Sequence, residues 1–288
     1  MKKSNSIRKA LGRTLVLFYA SAVAGAFLFL GGMWGQVGEQ NAGYLMAKSE
    51  TCAAYQREKL SSFTTYFNKN DGGRCVNIRL AASRLDKIAL QPYGELSFNR
   101  LVGARTKANG YQTAKVIVQG EFVAGIGGGV CQVSTTLYNA ALLAGLTVTE
   151  FHAHSIRVGY VPLSRDAMVS SGHDLRLYNP HAQTVYFSVT VGDGWLRCIV
   201  YGTATSKTYS IESRTLEELP IPPPKTVQGS VDEVVRIGQS GWKSESYLKT
   251  YEHGVLVSIR RLRSDEYAPL QGLVRKKDEN FQKTTGSG

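Results

Sequence analysis

The stretch Gly127-Gly128-Gly129-Val130-Cys131-Gln132-Val133, running on to Ala140, constrains this chain most, because it feeds a glycine turn directly into a helix. From Val133 the apolar residues recur at Leu137, Ala140, Ala141 and Ala144, the spacing of one buried helix face, and Gly145 supplies a stop. Cys131 is thereby placed near the helix N-terminus. Unpaired backbone N–H groups and the positive end of the helix dipole favour thiolate over thiol there, as a nucleophile requires. The plainer alternative is a cysteine acting as a small buried hydrophobe.

Some twenty residues on, Thr149-Glu150-Phe151-His152-Ala153-His154-Ser155 alternates in a way that predicts a strand with Glu150, His152 and His154 on one face. A thiol followed by two imidazoles and a carboxylate is the set of parts expected of a cysteine acyl-transfer enzyme. The same two histidines have the spacing of zinc ligands, with Cys131, Asp166 or His173 able to complete a site. The acyl-transfer reading needs no metal or other cofactor.

Lys2, Lys3, Arg8, Lys9 and Arg13 precede an uncharged run from Thr14 to Gly38, long enough to span a bilayer as a helix. With the basic residues all on its N-terminal side, the positive-inside rule puts the N-terminus in the cytoplasm and the remainder outside. An uncleaved anchor is preferred to a signal peptide, since cutting after Ala20-Ser21-Ala22 would leave an apolar stretch on the mature chain. The net charge is +12, of which +5 precedes the span, leaving +7 outside. In that setting a basic surface points to anionic wall polymers or headgroups, and the absence of an arginine-rich recognition helix or aromatic RNA-binding signature argues against nucleic acid.

Beyond the span, Val76 to Leu90 has a helix-like apolar distribution ended by Pro92 and Gly94, Asn99 to Gly103 reads as a loop, and Lys115 to Val118 reads as a strand. Thr184 to Thr190 and Trp195 to Tyr201 alternate around Gly192-Asp193-Gly194, a hairpin signal that makes Cys198 a buried structural thiol. A bridge between Cys52 and Cys75 would close a loop worth about 3 kcal/mol and leave Cys131 free. Pro220-Ile221-Pro222-Pro223-Pro224 suggests an extended spacer. After it, Val231 to Ile237, Ser244 to Tyr251 and Val255 to Leu262 read as short strands. The expected architecture is α+β: mostly antiparallel strands with a packed helix carrying Cys131 at its N-terminus, then a small all-β module, with an N-terminal transmembrane helix. In residue terms this is a basic tail over 1–13, an anchor over 14–38, a catalytic domain over 39–205, a Pro-rich linker over 206–226, a β module over 227–275 and a disordered tail over 276–288.

Several separate blocks then resemble the VanW family: Glu95-Leu96-Ser97-Phe98-Asn99, Val102-Gly103-Ala104-Arg105-Thr106, Gly110-Tyr111, the Gly127 to Ala140 block, His152-Ala153-His154-Ser155, Tyr160-Val161-Pro162, Arg165-Asp166-Ala167 and Asp174-Leu175. The chain departs from the pattern where Phe151 stands in place of the usual Arg, and where Pro92-Tyr93-Gly94 replaces a Pro-Gly-Glu turn. The C-terminal part looks like the glycine-marked β module that often accompanies cell-wall proteins. What the resemblance implies is work on peptidoglycan outside the membrane, as an L,D-transpeptidase whose nucleophile falls on Cys131 and whose partners are stem peptides.

On that reading His154, or else His152, is the base, oriented by Asp166 or Glu150. Backbone N–H groups around Gly127, Gly128, Gly129 and Cys131 would hold an oxyanion, with Gln132 as an added donor. Arg105 is a candidate for gripping a stem carboxylate, and Asn99 and Tyr111 are further substrate-binding candidates.

Overall fold

Alternation about the Gly192-Asp193-Gly194 turn gives the longest hairpin of the main sheet in the computed structural model, which describes residues 57–118 and 120–277. In chain order the first part runs β1 (Glu58–Tyr66), α1 (Gly72–Leu85), β2 (Ala89–Leu90), β3 (Glu95–Ser97), α2 (Phe98–Val102), β4 (Thr113–Val118), β5 (Glu121–Ile126), α3 (Val130–Leu143), β6 (Thr147–Glu150), β7 (Arg176–Tyr178), β8 (Val185–Val191) and β9 (Trp195–Gly202). The second part is all strand: β10 (Lys207–Leu219), β11 (Lys225–Gly229), β12 (Glu233–Arg236), β13 (Gly241–Glu252), β14 (Val255–Tyr267) and β15 (Leu273–Lys277). The chain is therefore mostly antiparallel strand with few helices, and β11 with β15 is a parallel exception.

Helix α3 is the centre. It packs on β1 and β9 of the sheet ordered β1-β9-β8-β2, and on α1. The periodicity that predicted one apolar face understates it, because twelve of its fourteen residues are buried. Leu137 and Leu142, each 1% exposed, contribute about 1.5–3 kcal/mol apiece. Its polar residues are buried with partners: Thr136 Oγ1 lies 2.8 Å from Thr65 Oγ1 and donates to Gln132 O, so the helix carries no unpaired hydroxyl there. Gly145, at φ +77°, ends it as expected.

In the second part, β10, β13 and β14 form one antiparallel sheet, and β11, β15 and β12 a smaller one. Burial along β14 changes halfway. Val255 to Arg261 is exposed, whereas Arg263, Asp265 and Tyr267 turn inward at a spacing of two, between exposed Ser264 and Glu266. The inward end of this sheet rests on the first part: Ser244 Oγ is 2.7 Å from Ser164 Oγ, Ala268 N donates to Ser155 O at 2.8 Å, and Leu248 joins the main apolar cluster.

Several expectations change. The helix predicted over 76–90 starts earlier and stops at Leu85, since Asp71 caps its first turn and Ala89–Leu90 pairs with β8. Asn99 to Gly103 is not a loop but most of α2, capped by Ser97. The stretch 206–226 is not a linker throughout, because Lys207–Leu219 pairs along its length with β13 and the prolines follow it. Lys276 and Lys277, expected in a disordered tail, lie in β15. Cys198 is fully buried on β9 as expected. Cys75 is buried with its thiol toward the carbonyls of Asn68 and Lys69, while its expected partner Cys52 lies outside the described residues. So does the expected span over 14–38. Among the described residues no helix is long and apolar enough to cross a membrane.

Candidate active site

The glycine turn works through close packing. A Cβ on Gly128 would sit 2.5 Å from Lys115 O and 2.9 Å from Ala114 C, backbone atoms of β4 that cannot step aside. Gly129 enters α3 at φ +108°, a conformation that disfavours other residues. Val130 N and Gln132 N bond back to Gly127 O and Gly129 O, while the Cys131 N–H has no acceptor among the described residues.

Cys131 is partly buried, with its thiol donating to Val169 O at 3.4 Å and within the electrostatic reach of His154. His154, 6% exposed, places Nδ1 2.6 Å from Asp166 Oδ2, and its backbone N–H donates to the same oxygen at 2.7 Å. With Nδ1 carrying the proton toward the carboxylate, Nε2 is the nitrogen left for the thiol. Burial works against charge on every member. At Cys131 it pushes the thiol up, and the hydrogen bond and charge of His154 outweigh it, holding the thiol below its ordinary range. At His154 burial lowers, but the bonds to Asp166 and Cys131 prevail and raise the imidazole to about 9. Asp166 is held low despite burial by its bond to His154 and the charge of Arg263. Both shifts run in the direction that favours a thiolate–imidazolium pair.

The nucleophile's own helix fixes the acid. Asn139 Nδ2 donates to Arg165 O and its Oδ1 accepts from Arg165 Nε, both at 2.8 Å. Ser134 Oγ donates to Ala167 O at 2.6 Å, and Thr135 Oγ1 accepts from Ala167 N at 2.9 Å. The second part of the chain closes the other side. Tyr267 Oη donates to Asp166 Oδ1 at 2.5 Å and accepts from Ser164 N at 2.8 Å. Arg263 Nη1 donates to Asp166 O at 2.5 Å, with Nη2 3.6 Å from Oδ1 and Nε bonded to Asp265.

His152 goes elsewhere. Strand β6 stops at Glu150, after a register shift against β7 between Val148 and Glu150 has broken the period of two, so Glu150, His152 and His154 do not share a strand face. His152 Nε2 lies 3.0 Å from Glu150 Oε1, and its ring meets the edge of His173 at 4.5 Å. Glu150 also accepts from Asp174 N and pairs with Arg176, and its carboxyl is lowered chiefly by the His152 bond. Glu150 therefore orients His152 and not His154. Among the described residues no group of three or more His, Cys, Asp or Glu side chains is gathered as a metal site requires.

Cys131 and His154 open on a cleft of about 1010 Å³ walled by the β4–β5 hairpin. Its lining carries Arg74, Arg105, Lys115 and Arg157 against a single carboxylate, Asp71. Among the described residues none of these four cations has a carboxylate partner within salt-bridge distance. Arg105 lines this cleft. Asn99 serves it, accepting from Arg105 Nη2 at 2.6 Å while donating to Ser170 O and His173 O. Tyr111 does not reach the cleft: it is 2% exposed in the apolar cluster. Gln132 is no free donor, because its Nε2 serves Thr65 Oγ1 and Tyr66 O and its Oε1 holds Arg74 at 2.6 Å.

Arg74, Arg157, Tyr160, Arg263 and Tyr267 were not singled out from sequence. The one available signal was Arg263-Ser264-Asp265-Glu266-Tyr267, a strand whose inward positions include two charged residues and so need a buried polar partner.

Comparison with known proteins matches residues 73–201 to the family described as VanW like protein. A Bacillus subtilis (strain 168) protein titled "Uncharacterized protein YoaR" is 42% identical over 151 residues, 52% of this chain and 50% of that one. The "Vancomycin B-type resistance protein VanW" of Enterococcus faecalis (strain ATCC 700802 / V583) is 29% identical over 163 residues, 54% of this chain and 57% of that one. The chain thus spans about half the length of the curated relatives it matches. Among solved structures, an IgA1 protease G5 domain aligns over 27% of this chain and 98% of its own at 16% identity, and the HP0197 G5 structure over 24% and 96% at 16%. Their TM-scores, 0.17 and 0.14, are too low to carry an argument.

Proposed function

We propose that this chain, which carries a VanW domain over residues 73–201, is a cell-wall enzyme: a membrane-anchored peptidoglycan L,D-transpeptidase that forms 3-3 cross-links through a cysteine acyl-enzyme. The observation that carries the reading is the buried Cys131–His154–Asp166 series at the floor of a cationic cleft.

The Cys131 thiolate attacks the carbonyl carbon of the third residue of a tetrapeptide stem. As the tetrahedral intermediate collapses, the bond to the terminal D-Ala nitrogen breaks, and the His154 imidazolium gives its proton to that leaving amine. The Cys131 N–H faces the developing oxyanion. An amine of a neighbouring stem then attacks the thioester, His154 takes its proton, and the thiolate is released. Arg74, Arg105, Lys115 and Arg157 suit stems that carry several carboxylates. The basic remainder of the chain suits anionic wall polymers, on the outer side of a membrane holding the 14–38 segment.

The test is mass analysis of stem fragments incubated with the protein. Wild-type protein should convert tetrapeptide stems to 3-3 dimers with loss of D-Ala, and Cys131→Ala, while still folded, should lose the conversion by a factor on the order of 10⁴ or more. Equal conversion by both proteins would end the transpeptidase reading.

A further inference from the structure

Asp166 is held from two directions, and one of them is far away in sequence. Its Oδ2 faces His154; its Oδ1 faces Tyr267 Oη; its main-chain oxygen accepts from Arg263. Both outer residues belong to the inward half of β14, a hundred residues downstream and beyond the VanW match. Nothing else in β14 approaches the acid so closely, and the outward half of the strand, Val255 to Ile259, is exposed.

These contacts are more than a packed seam. Arg263 is 5% exposed and lies over the Phe151 ring at 4.9 Å, so its guanidinium is buried between an aromatic face and Asp166. Asp265 takes up its Nε. Tyr267, 1% exposed, joins Ser164 N to Asp166 Oδ1 through one hydroxyl, and that fixes the rotation of the carboxylate. With Oδ1 occupied, Oδ2 is the oxygen presented to both the ring and the backbone N–H of His154. Burying an arginine is costly unless it is paired, and Arg263 is paired with Asp265 and the Asp166 main-chain oxygen.

We infer that Arg263 and Tyr267 are positioning residues for the reaction, so that the C-terminal strands complete the active site by locking Asp166 toward His154. The inference rests on the cysteine transpeptidase reading for its purpose, but its test has a separate readout. A carboxylate free to turn away from His154 lets the imidazole fall back toward its ordinary range, and the thiolate loses its partner. The groups that face this centre are Cys131, Asp166, Arg105, Arg263, Tyr267, Tyr138 and Tyr160, with Asp265 behind Arg263. Tyr160 and Tyr138 are held above the ordinary phenol range, by burial first.

The experiment follows the rate of Cys131 alkylation by iodoacetamide against pH in the full chain, read by peptide mass, together with kcat and KM for stem conversion. Tyr267→Phe keeps the ring and removes only the hydroxyl; Arg263→Gln removes the charge. Each should move the alkylation inflection upward by about one pH unit and lower kcat roughly tenfold with KM little changed. Ser244→Ala cuts the neighbouring contact to Ser164 without touching Asp166, and should leave the inflection where it is. Should Arg263→Gln fail to fold, Tyr267→Phe carries the test alone. An inflection unmoved in Tyr267→Phe, or moved as far by Ser244→Ala, overturns the inference and leaves the strands as scaffold. Shifted inflections in a protein that forms no cross-links at all would support the positioning role and refute the transpeptidase reading.

Discussion

Two histidines separated by one alanine end in opposite surroundings. His152 and its carboxylate Glu150 are each about one-third exposed, joined at 3.0 Å and surrounded by Arg176, Asp174 and His173 near the surface. His154 and Asp166 are 5% and 1% exposed by side chain and joined at 2.6 Å. The chemical pair is nearly the same in both places, so the difference lies in the medium. Water screens the first and lets the pair exchange partners cheaply. In the second, burial penalises every charge, and only the full set of Cys131, His154, Asp166 and Arg263 makes the charged state favourable.

Breaking the buried member should therefore cost most. His154→Gln should lower kcat/KM for stem conversion by about 10³-fold, since among the described residues no other base is placed beside the thiol. A loss under tenfold in steady-state assays would mean the two histidines are interchangeable. Asp166→Asn retains the shape but removes the charge that favours imidazolium, and a fall on the order of 10²-fold in kcat is expected with the melting temperature measured alongside.

A pH profile sharpens the same contrast. The proton that His154 gives to the leaving amine is present below its raised value and lost above it, so kcat/KM should fall about tenfold per unit as pH rises beyond about 9. An alkaline limb beginning near the ordinary histidine range would show that Asp166 does not raise the imidazole. The smallest effect belongs to His152→Gln, which should change turnover by less than about fivefold, measured in the same assay. A larger loss would move the base to the surface pair.

The glycine turn, the helix after it, the β8–β9 hairpin and Cys131 at a helix start were legible because local spacing alone determines them. His154 was legible as a candidate for the same reason. Its orienting acid was legible only as one of two: the resemblance offered Asp166 and local alternation favoured Glu150, and a register shift in β6 that no residue pattern announces sent the chain out of the sheet before His152. Gln132 and Tyr111 looked like substrate contacts because their types often are. The fold spends Gln132 on Arg74 and the β1 end, and Tyr111 on the core. Arg263 and Tyr267 lay out of reach of local reading, since their role depends on two segments a hundred residues apart being brought together.

The clamp of α3 on residues 165–167 has a bearing on how this protein would fail. Asn139, Ser134 and Thr135 bind that segment from inside the most deeply buried helix of the described chain. The acid and the thiol thus ride on one piece of core, and releasing either exposes amides that exchange with solvent only when the helix opens. Heat should accordingly not silence the site ahead of the fold: deuterium uptake across α3, collapse of helical ellipticity and loss of turnover belong to a single cooperative event.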